Sequence, residues 1–205
     1  MKTSISYTDE RQSRRVVLTA WGNFDYPIRA DLQAGIGANL IFWREDSLHR
    51  LAFYPSENTA ITLSTQGSTL SPGLDIPFSF QELAAVLTAS WDGIIPPEYQ
   101  RAERAAQGGW RYFLDDERIR SVVLDQSGRP LIIQGGTGIS WEIHFDRWTE
   151  ADMGRAVPQK LTLTLETGER VVLYVKTTEL YDSPWDRNST SLPLPEDVQT
   201  RRYPQ

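Results

Sequence analysis

The stretch Asp31–Trp43, DLQAGIGANLIFW, decides how the rest of the chain is read. Two apolar, strand-like runs, IRADL (28–32) and NLIFWRE (39–45), meet at Gly35-Ile36-Gly37. Glycines spaced in this way invite a phosphate-binding reading, in which a glycine-rich turn feeds the N-terminus of a helix. Here Gly37 is followed by Ala38-Asn39-Leu40, so the third glycine is missing, and the segment leads into LIFW, a strand. What remains is a strand–turn–strand unit displaying one bare isoleucine. Its flanking glycines give the turn unusual backbone angles and keep the tip narrow.

The same two-residue alternation dominates on both sides. SISYT (4–8) and RRVVLTAWG (14–22) flank the charged DERQS, a hairpin pattern, and HRLAFYP and AITLS follow the opening unit. The period then changes. In IPFSFQELAAVLTASW, Ser79 is an N-cap with Glu82 three residues on, a capping-box pattern. Phe80, Leu83, Val86 and Leu87 fall on one helical stripe. PPEYQRAERAAQGG reads as a second, more polar helix, with Pro97 near its start and Gly108 near its end.

Strands resume with WRYFLD (110–115), RIRSVVLD (118–125), PLIIQ (130–134), SWEIHFD (140–146), KLTLTLE (160–166) and RVVLYVK (170–176). Gln126-Ser127-Gly128 and Thr167-Gly168 mark hairpin turns between them. The fold class is mainly β with a few helices, the strands mostly antiparallel and without a βαβ rhythm. From Tyr181 prolines and polar residues appear without periodicity. The expected division is one domain over 1–178 and an extended or disordered tail over 179–205.

Face patterns indicate what the sheet must do. Leu161, Leu163 and Leu165 oppose Thr162 and Thr164, and Trp141, Ile143 and Phe145 oppose Glu142 and His144. A large sheet with one apolar face has to cover it. A second sheet, closure into a barrel, or the 79–90 helix laid across the opening would each serve. The chain holds seven Trp, eight Tyr and seven Phe, enough for an ordinary bulky core or for the wall of a wide apolar cavity.

Composition excludes several classes. The net charge is −6, with no basic stripe beyond the pairs Arg14-Arg15 and Arg201-Arg202, so no nucleic-acid partner is expected. There are no cysteines and only His49 and His144, which removes disulfides, a thiol nucleophile, zinc–thiolate sites and a histidine-rich metal site. Asp115-Asp116-Glu117 lies between two strands and reads as a solvated hairpin tip. His144 lies on a polar face, and no G-x-S-x-G elbow occurs. No catalytic constellation and no cofactor are expected. The N-terminus lacks the apolar core of a signal peptide, so export would require this chain to be a trimmed form.

The order of elements over residues 3–177 resembles LolB, the outer-membrane lipoprotein receptor family of Gram-negative bacteria, in the same superfamily as the periplasmic carrier LolA. The resemblance is carried by YPIRADL, the turn with its exposed apolar residue, ANLIFW, then IPFSFQELAAVLT and the long run of hairpins. It implies an incomplete antiparallel β-barrel of about eleven strands with a helical lid. It also implies a non-enzymatic function: shielding lipoprotein or lipid acyl chains in an apolar cavity and delivering them to the outer membrane without a cofactor. On this resemblance Gly35, Ile36 and Gly37 form the membrane-contacting loop. Phe80, Leu83, Val86 and Leu87 face the cavity from the lid, and Phe42, Phe53, Trp141, Ile143 and Phe145 line it. The implied partners are acyl chains, the membrane surface and a periplasmic carrier protein, with the chain facing the periplasm at the outer membrane.

Four features depart from the family. The chain opens almost directly on a strand where the family has a helix. The receptor form's lipidated cysteine is missing. WGNFDYP lacks the arginine found near that point in the carrier form, and the proline-rich tail has no family counterpart. The alternative is a β-rich scaffold or adaptor module of the cell envelope that binds a protein partner without a lipid cavity. Energetically a carrier is reasonable: an acyl chain gains about 0.8 kcal/mol per buried CH₂. One isoleucine adds about 1.5–3 kcal/mol on burial, enough to orient a protein at a membrane but not to anchor it.

Overall fold

The computed structural model describes residues 1–9, 13–25, 27–35, 37–64, 78–150 and 155–202. Among them the chain forms β1 (Lys2–Thr8), β2 (Ser13–Gly22), β3 (Ile28–Ala34), β4 (Asn39–Glu45), β5 (His49–Tyr54), β6 (Thr59–Ser64), α1 (Phe80–Leu87) and β7 (Arg101–Arg104). Then follow β8 (Trp110–Phe113), β9 (Ile119–Leu124), β10 (Pro130–Gly135), β11 (Trp141–Glu150), β12 (Ala156–Leu165), β13 (Arg170–Thr177) and β14 (Gln199–Arg202). All twelve runs read as strands in the sequence are strands; β7 and β14 are additional.

Hydrogen bonding orders the strands β14-β6-β5-β4-β3-β2-β1-β13-β12-β11-β10-β9-β8-β7. The order ends at β14 and β7, so the sheet is not closed into a barrel. Neighbours run antiparallel from β2 to β6 and from β7 to β13, while β14 lies parallel to β6. The chain divides into two compact units. The first comprises Met1–Ser4, Arg15–Thr88 and Lys176–Gln205; the second comprises Ile5–Arg14 and Ala89–Val175.

In the first unit, register sorts the side chains. Ala20 pairs with Ala30, Ala30 with Trp43, Trp43 with Ala52 and Ala52 with Ile61, forming one row across five strands. Leu18, Leu32 and Ile41 form a second row on the same face. This face holds the unit's core, and three alanines in the central row leave room for an element to approach the sheet. The β3–β4 turn closes through hydrogen bonds from Gly37 N to Ala34 O and from Ala34 N to Ala38 O, both 2.8 Å. Gly37 has φ +88°, a conformation costly for a side chain with a Cβ.

From Tyr181 the chain runs extended apart from a 3-10 turn over Arg187–Thr190, then joins the sheet as β14, with Gln199 opposite Thr59 and Arg202 opposite Thr62.

In the second unit, Trp141, Ile143 and Phe145 pair with Leu165, Leu163 and Leu161, and Leu163 and Leu161 pair with Val171 and Leu173. All are buried. Gly135 lies opposite Trp141, and a Cβ there would stand 2.4 Å from the indole, so the glycine makes room for that ring.

The expected second helix over PPEYQRAERAAQGG does not form. Arg101–Arg104 is strand β7, with Arg101 opposite Phe113 and Arg104 opposite Trp110. Helix propensity favoured the first reading, but the segment has no apolar stripe to bury. As a strand it gains ladder hydrogen bonds and two cation–π contacts, Arg101 at 4.0 Å from the Phe113 ring and Arg104 at 5.3 Å from Trp110. Gly108 and Gly109, at φ +87° and +82°, belong to a hairpin turn and not a helix end.

Candidate functional site

The helix forms where the capping pattern places it. Ser79 Oγ accepts from Glu82 N at 3.1 Å, and Glu82 Oε2 accepts from Ser79 N at 2.8 Å. Both halves of the box are thus made, and they stabilise a helix of only two turns that would be marginal alone. Phe80, Leu83, Val86 and Leu87 are its buried residues, as the stripe requires. Phe80 meets Trp43 with ring centroids 5.0 Å apart, inclined by 57°. That contact seats α1 on the face that carries the alanine row. Ile76 and Pro77, the start of the expected lead-in to this helix, lie outside the described residues, as does the Glu10–Gln12 part of the first hairpin.

Phe42 and Phe53 are elsewhere. They pair across β4 and β5, with centroids 6.2 Å apart and planes inclined by 14°. Side chains alternate along a strand, so Phe42 points away from the face of Trp43, and Phe53 away from that of Ala52. The expectation that they share a lining with α1 therefore places them on the wrong side of the sheet. Their neighbour is Arg29, whose guanidinium sits 5.5 Å from both Phe42 and Trp21. Arg29 Nε pairs with Asp31 at 2.9 Å, and Nη1 donates to Ser191 O. Trp21 Nε1 donates to Ser189 O at 2.7 Å, and Trp185 N donates to Asn23 Oδ1 at 2.7 Å. The C-terminal segment thus lies along this second face.

The face beneath α1 is not uniformly apolar. Glu45 and Arg50 pair across β4 and β5 with Nε–Oε2 at 3.4 Å, and both are buried. A buried ion pair of this kind adds little net stability over an apolar pair but is costly to break. Thr3 and Trp43 are also buried, and neither Thr3 Oγ1 nor Trp43 Nε1 has a hydrogen-bond partner among the described residues.

Ile36 lies outside the described residues. Gly35 and Gly37 beside it are exposed, as are Ala38, Asn39 and Leu40. A Cβ added at either glycine would meet nothing within 4 Å.

Trp141, Ile143 and Phe145 belong to the second unit. Phe145 makes an edge contact with Trp91 at 5.7 Å and stacks on Trp148 at 5.6 Å. The opposite face of β9–β11 carries a polar chain: Ser121 Oγ donates to Gln134 Oε1 at 2.9 Å, Gln134 Nε2 donates to Glu142, and His144 Nε2 donates to Glu142 Oε1. Burial opposes ionisation of Glu142, but hydrogen bonds from Gln134 and His144 and the charges of His144 and Arg111 outweigh it. The carboxyl is held below its usual range. Asp116 Oδ1 accepts from Arg118 N at 2.8 Å and Ile119 N at 2.7 Å, which makes it a turn-former beside the exposed Asp115 and Glu117. An open groove of about 490 Å³ adjoins this tip, lined in part by Arg120, Gly136 and Thr137. Among the described residues no group of three or more His, Cys, Asp or Glu could hold a metal, and no helix is long and apolar enough to cross a membrane.

The stripe of α1 was readable in the sequence, and so was the Trp141 face. The Trp43 face was not: Leu40-Ile41-Phe42-Trp43 is apolar at every position, so alternation gives no phase. The in-phase alanines 20, 30 and 52 were the available signal, but only once the strand register was known.

No family model and no curated protein matches the chain. Several solved structures do. A LolA superfamily protein from Nitrosomonas europaea superposes with a TM-score of 0.60 at 16% identity, covering 89% of this chain and 86% of that one. A domain described as an outer membrane lipoprotein-sorting protein from Vibrio parahaemolyticus gives 0.57 at 10% identity over 92% of this chain and 87% of that one. A DUF1329 family protein from Desulfovibrio piger gives 0.52 at 10% identity over 93% and 90%. The expected resemblance is met at the level of fold: the chain folds as these three structures do.

Proposed function

We propose that this protein binds the acyl chains of lipoproteins or lipids on the helix-covered face of its first unit and carries them, without catalysis, through the periplasm to the outer membrane. The observation that carries the reading is the seat of α1. A short helix, fixed by a complete capping box, packs through Phe80 on Trp43, which stands in a row with Ala20, Ala30 and Ala52. Small side chains around one large ring make a shallow apolar bed. An acyl chain can replace the helix there at little cost, because one apolar contact substitutes for another. In this reading α1 is the lid, and the Gly35-Ile36-Gly37 turn is the point of membrane contact, as in LolB. The fold shared with a lipoprotein-sorting domain supports the assignment.

The test is extraction of the purified protein followed by mass spectrometry, with displacement of an apolar dye by lipid in parallel. Co-purified acylated species and competitive displacement are expected. Absence of both would leave the adaptor reading. One observation favours that second reading: the face opposite α1 already holds an extended segment, with Trp21 and Arg29 donating to carbonyls of Ser189 and Ser191. A protein-binding module would use the same kind of contact.

A further inference from the structure

Thr3 and Trp43 have buried hydrogen-bonding groups without partners among the described residues, and both stand on one face of the first unit. Met1 and Ala20 exchange backbone hydrogen bonds of 2.9 Å, so Thr3, two residues along β1, shares the face of Ala20 and Leu18. Trp43 occupies that face through its pairing with Ala30. Exposure is 0% for Thr3 and 1% for Trp43. Buried donors are nearly always satisfied, and an orphan destabilises the fold. Valine at 3 and phenylalanine at 43 would fill similar space without that penalty. An apolar bed alone would accept any hydrocarbon; what it lacks is a group to meet the carbonyl of an acyl ester or amide.

We propose that the Trp43 indole N–H and the Thr3 hydroxyl donate to the acyl carbonyls of a ligand bound on this face, so that the site selects acyl esters and amides over plain hydrocarbon. The two donors sit three strands apart, roughly 14 Å across the sheet, so each serves its own carbonyl. A ligand with more than one acyl group therefore fits best. This inference rests on the acyl-binding reading given above.

The test compares dioctanoylglycerol with tetradecane as competitors of an apolar dye, on wild type, Trp43→Phe, Thr3→Val and the double variant. Each single change is expected to lower the preference for dioctanoylglycerol over tetradecane about fivefold, and the pair about 25-fold. The infrared carbonyl stretch of ¹³C-labelled dioctanoylglycerol should shift on binding to wild type and lose part of that shift in each single variant. A triacylated lipopeptide and dioctanoylphosphatidylglycerol then identify the acyl source, by which of them loses affinity in the variants. Equal competition by ester and hydrocarbon in every variant, with an unshifted carbonyl, overturns this inference and leaves acyl binding standing. A wild type that takes up neither competitor overturns both.

Discussion

The Phe80 ring lies 5.0 Å from the Trp43 indole and thereby joins the one α-helix among the described residues to the sheet. Phe80→Ala should cost about 3–5 kcal/mol if the helix unfolds only with the rest of its unit. A smaller loss in urea denaturation would mean that α1 detaches by itself. In either case uncovering the alanine row should raise binding of an apolar dye. Unchanged dye fluorescence would show that the helix is not what covers the face.

Ser79 and Glu82 hold the start of that helix reciprocally. Ser79→Ala should destabilise by about 1 kcal/mol. Combining it with Glu82→Ala should cost less than the sum of the two single changes, because either one already breaks the box. Additive losses in a denaturation series would argue against the reciprocal arrangement.

Ile36→Glu should leave thermal stability unchanged, since the glycines beside it are exposed with open space around them. Transfer of an acylated cargo to vesicles should fall, reflecting a lost burial of about 1.5–3 kcal/mol. Full transfer by the variant would remove the membrane role from this turn.

The sequence was most legible where polarity alternates. WEIHF and KLTLTLE gave their buried faces directly because charged or hydroxyl side chains separate the apolar ones. The capping box announced α1 three residues ahead of its stripe. Two kinds of residue escaped. Phe42 and Trp43 sit in an unbroken apolar run, and the flanking charges mislead, since Glu45 is buried on Trp43's own face. Segment 101–104 has helix-forming residues but no apolar stripe, so only its cross-strand partners reveal it as a strand. The orphan donors on Thr3 and Trp43 leave no trace in the sequence, because hydrogen-bond satisfaction is a property of neighbours and not of residue type.

Acid should weaken the protein through Asp46, Asp125, Glu142 and Asp146. For each, burial raises the carboxyl, yet hydrogen bonds and nearby cations bring it below its ordinary value. A carboxyl lowered in the folded state stabilises above its unfolded pKa and loses that contribution as pH falls through the folded value. Stability should therefore hold from neutrality down to the ordinary carboxylate range, about pH 4, and decline below it. Glu142→Gln should flatten part of that decline. Urea midpoints between pH 7 and pH 2.5 provide the check, and a parallel decline in the variant would exclude Glu142 as a contributor.

Deleting residues 185–205 should expose Trp21 and leave β6 without its neighbour β14. An uncovered strand edge is a template for other chains. The shortened protein should self-associate at concentrations where the full chain does not, as read by light scattering. A monodisperse deletion variant would contradict this.

The parallel pairing of β14 with β6 also constrains the order in which the molecule comes together. The first unit is assembled from three separated pieces of chain, and its last strand is Gln199–Arg202. During synthesis, N-terminus first, the second unit's strands emerge complete while β6 still waits for its neighbour. Such long-range pairings form late and slowly. For that interval the nascent chain presents an open edge and a tryptophan-lined face, the surfaces a holding chaperone captures. A stall or truncation between Thr177 and Gln199 is thus a more hazardous event for this protein than the shortness of β14 would indicate.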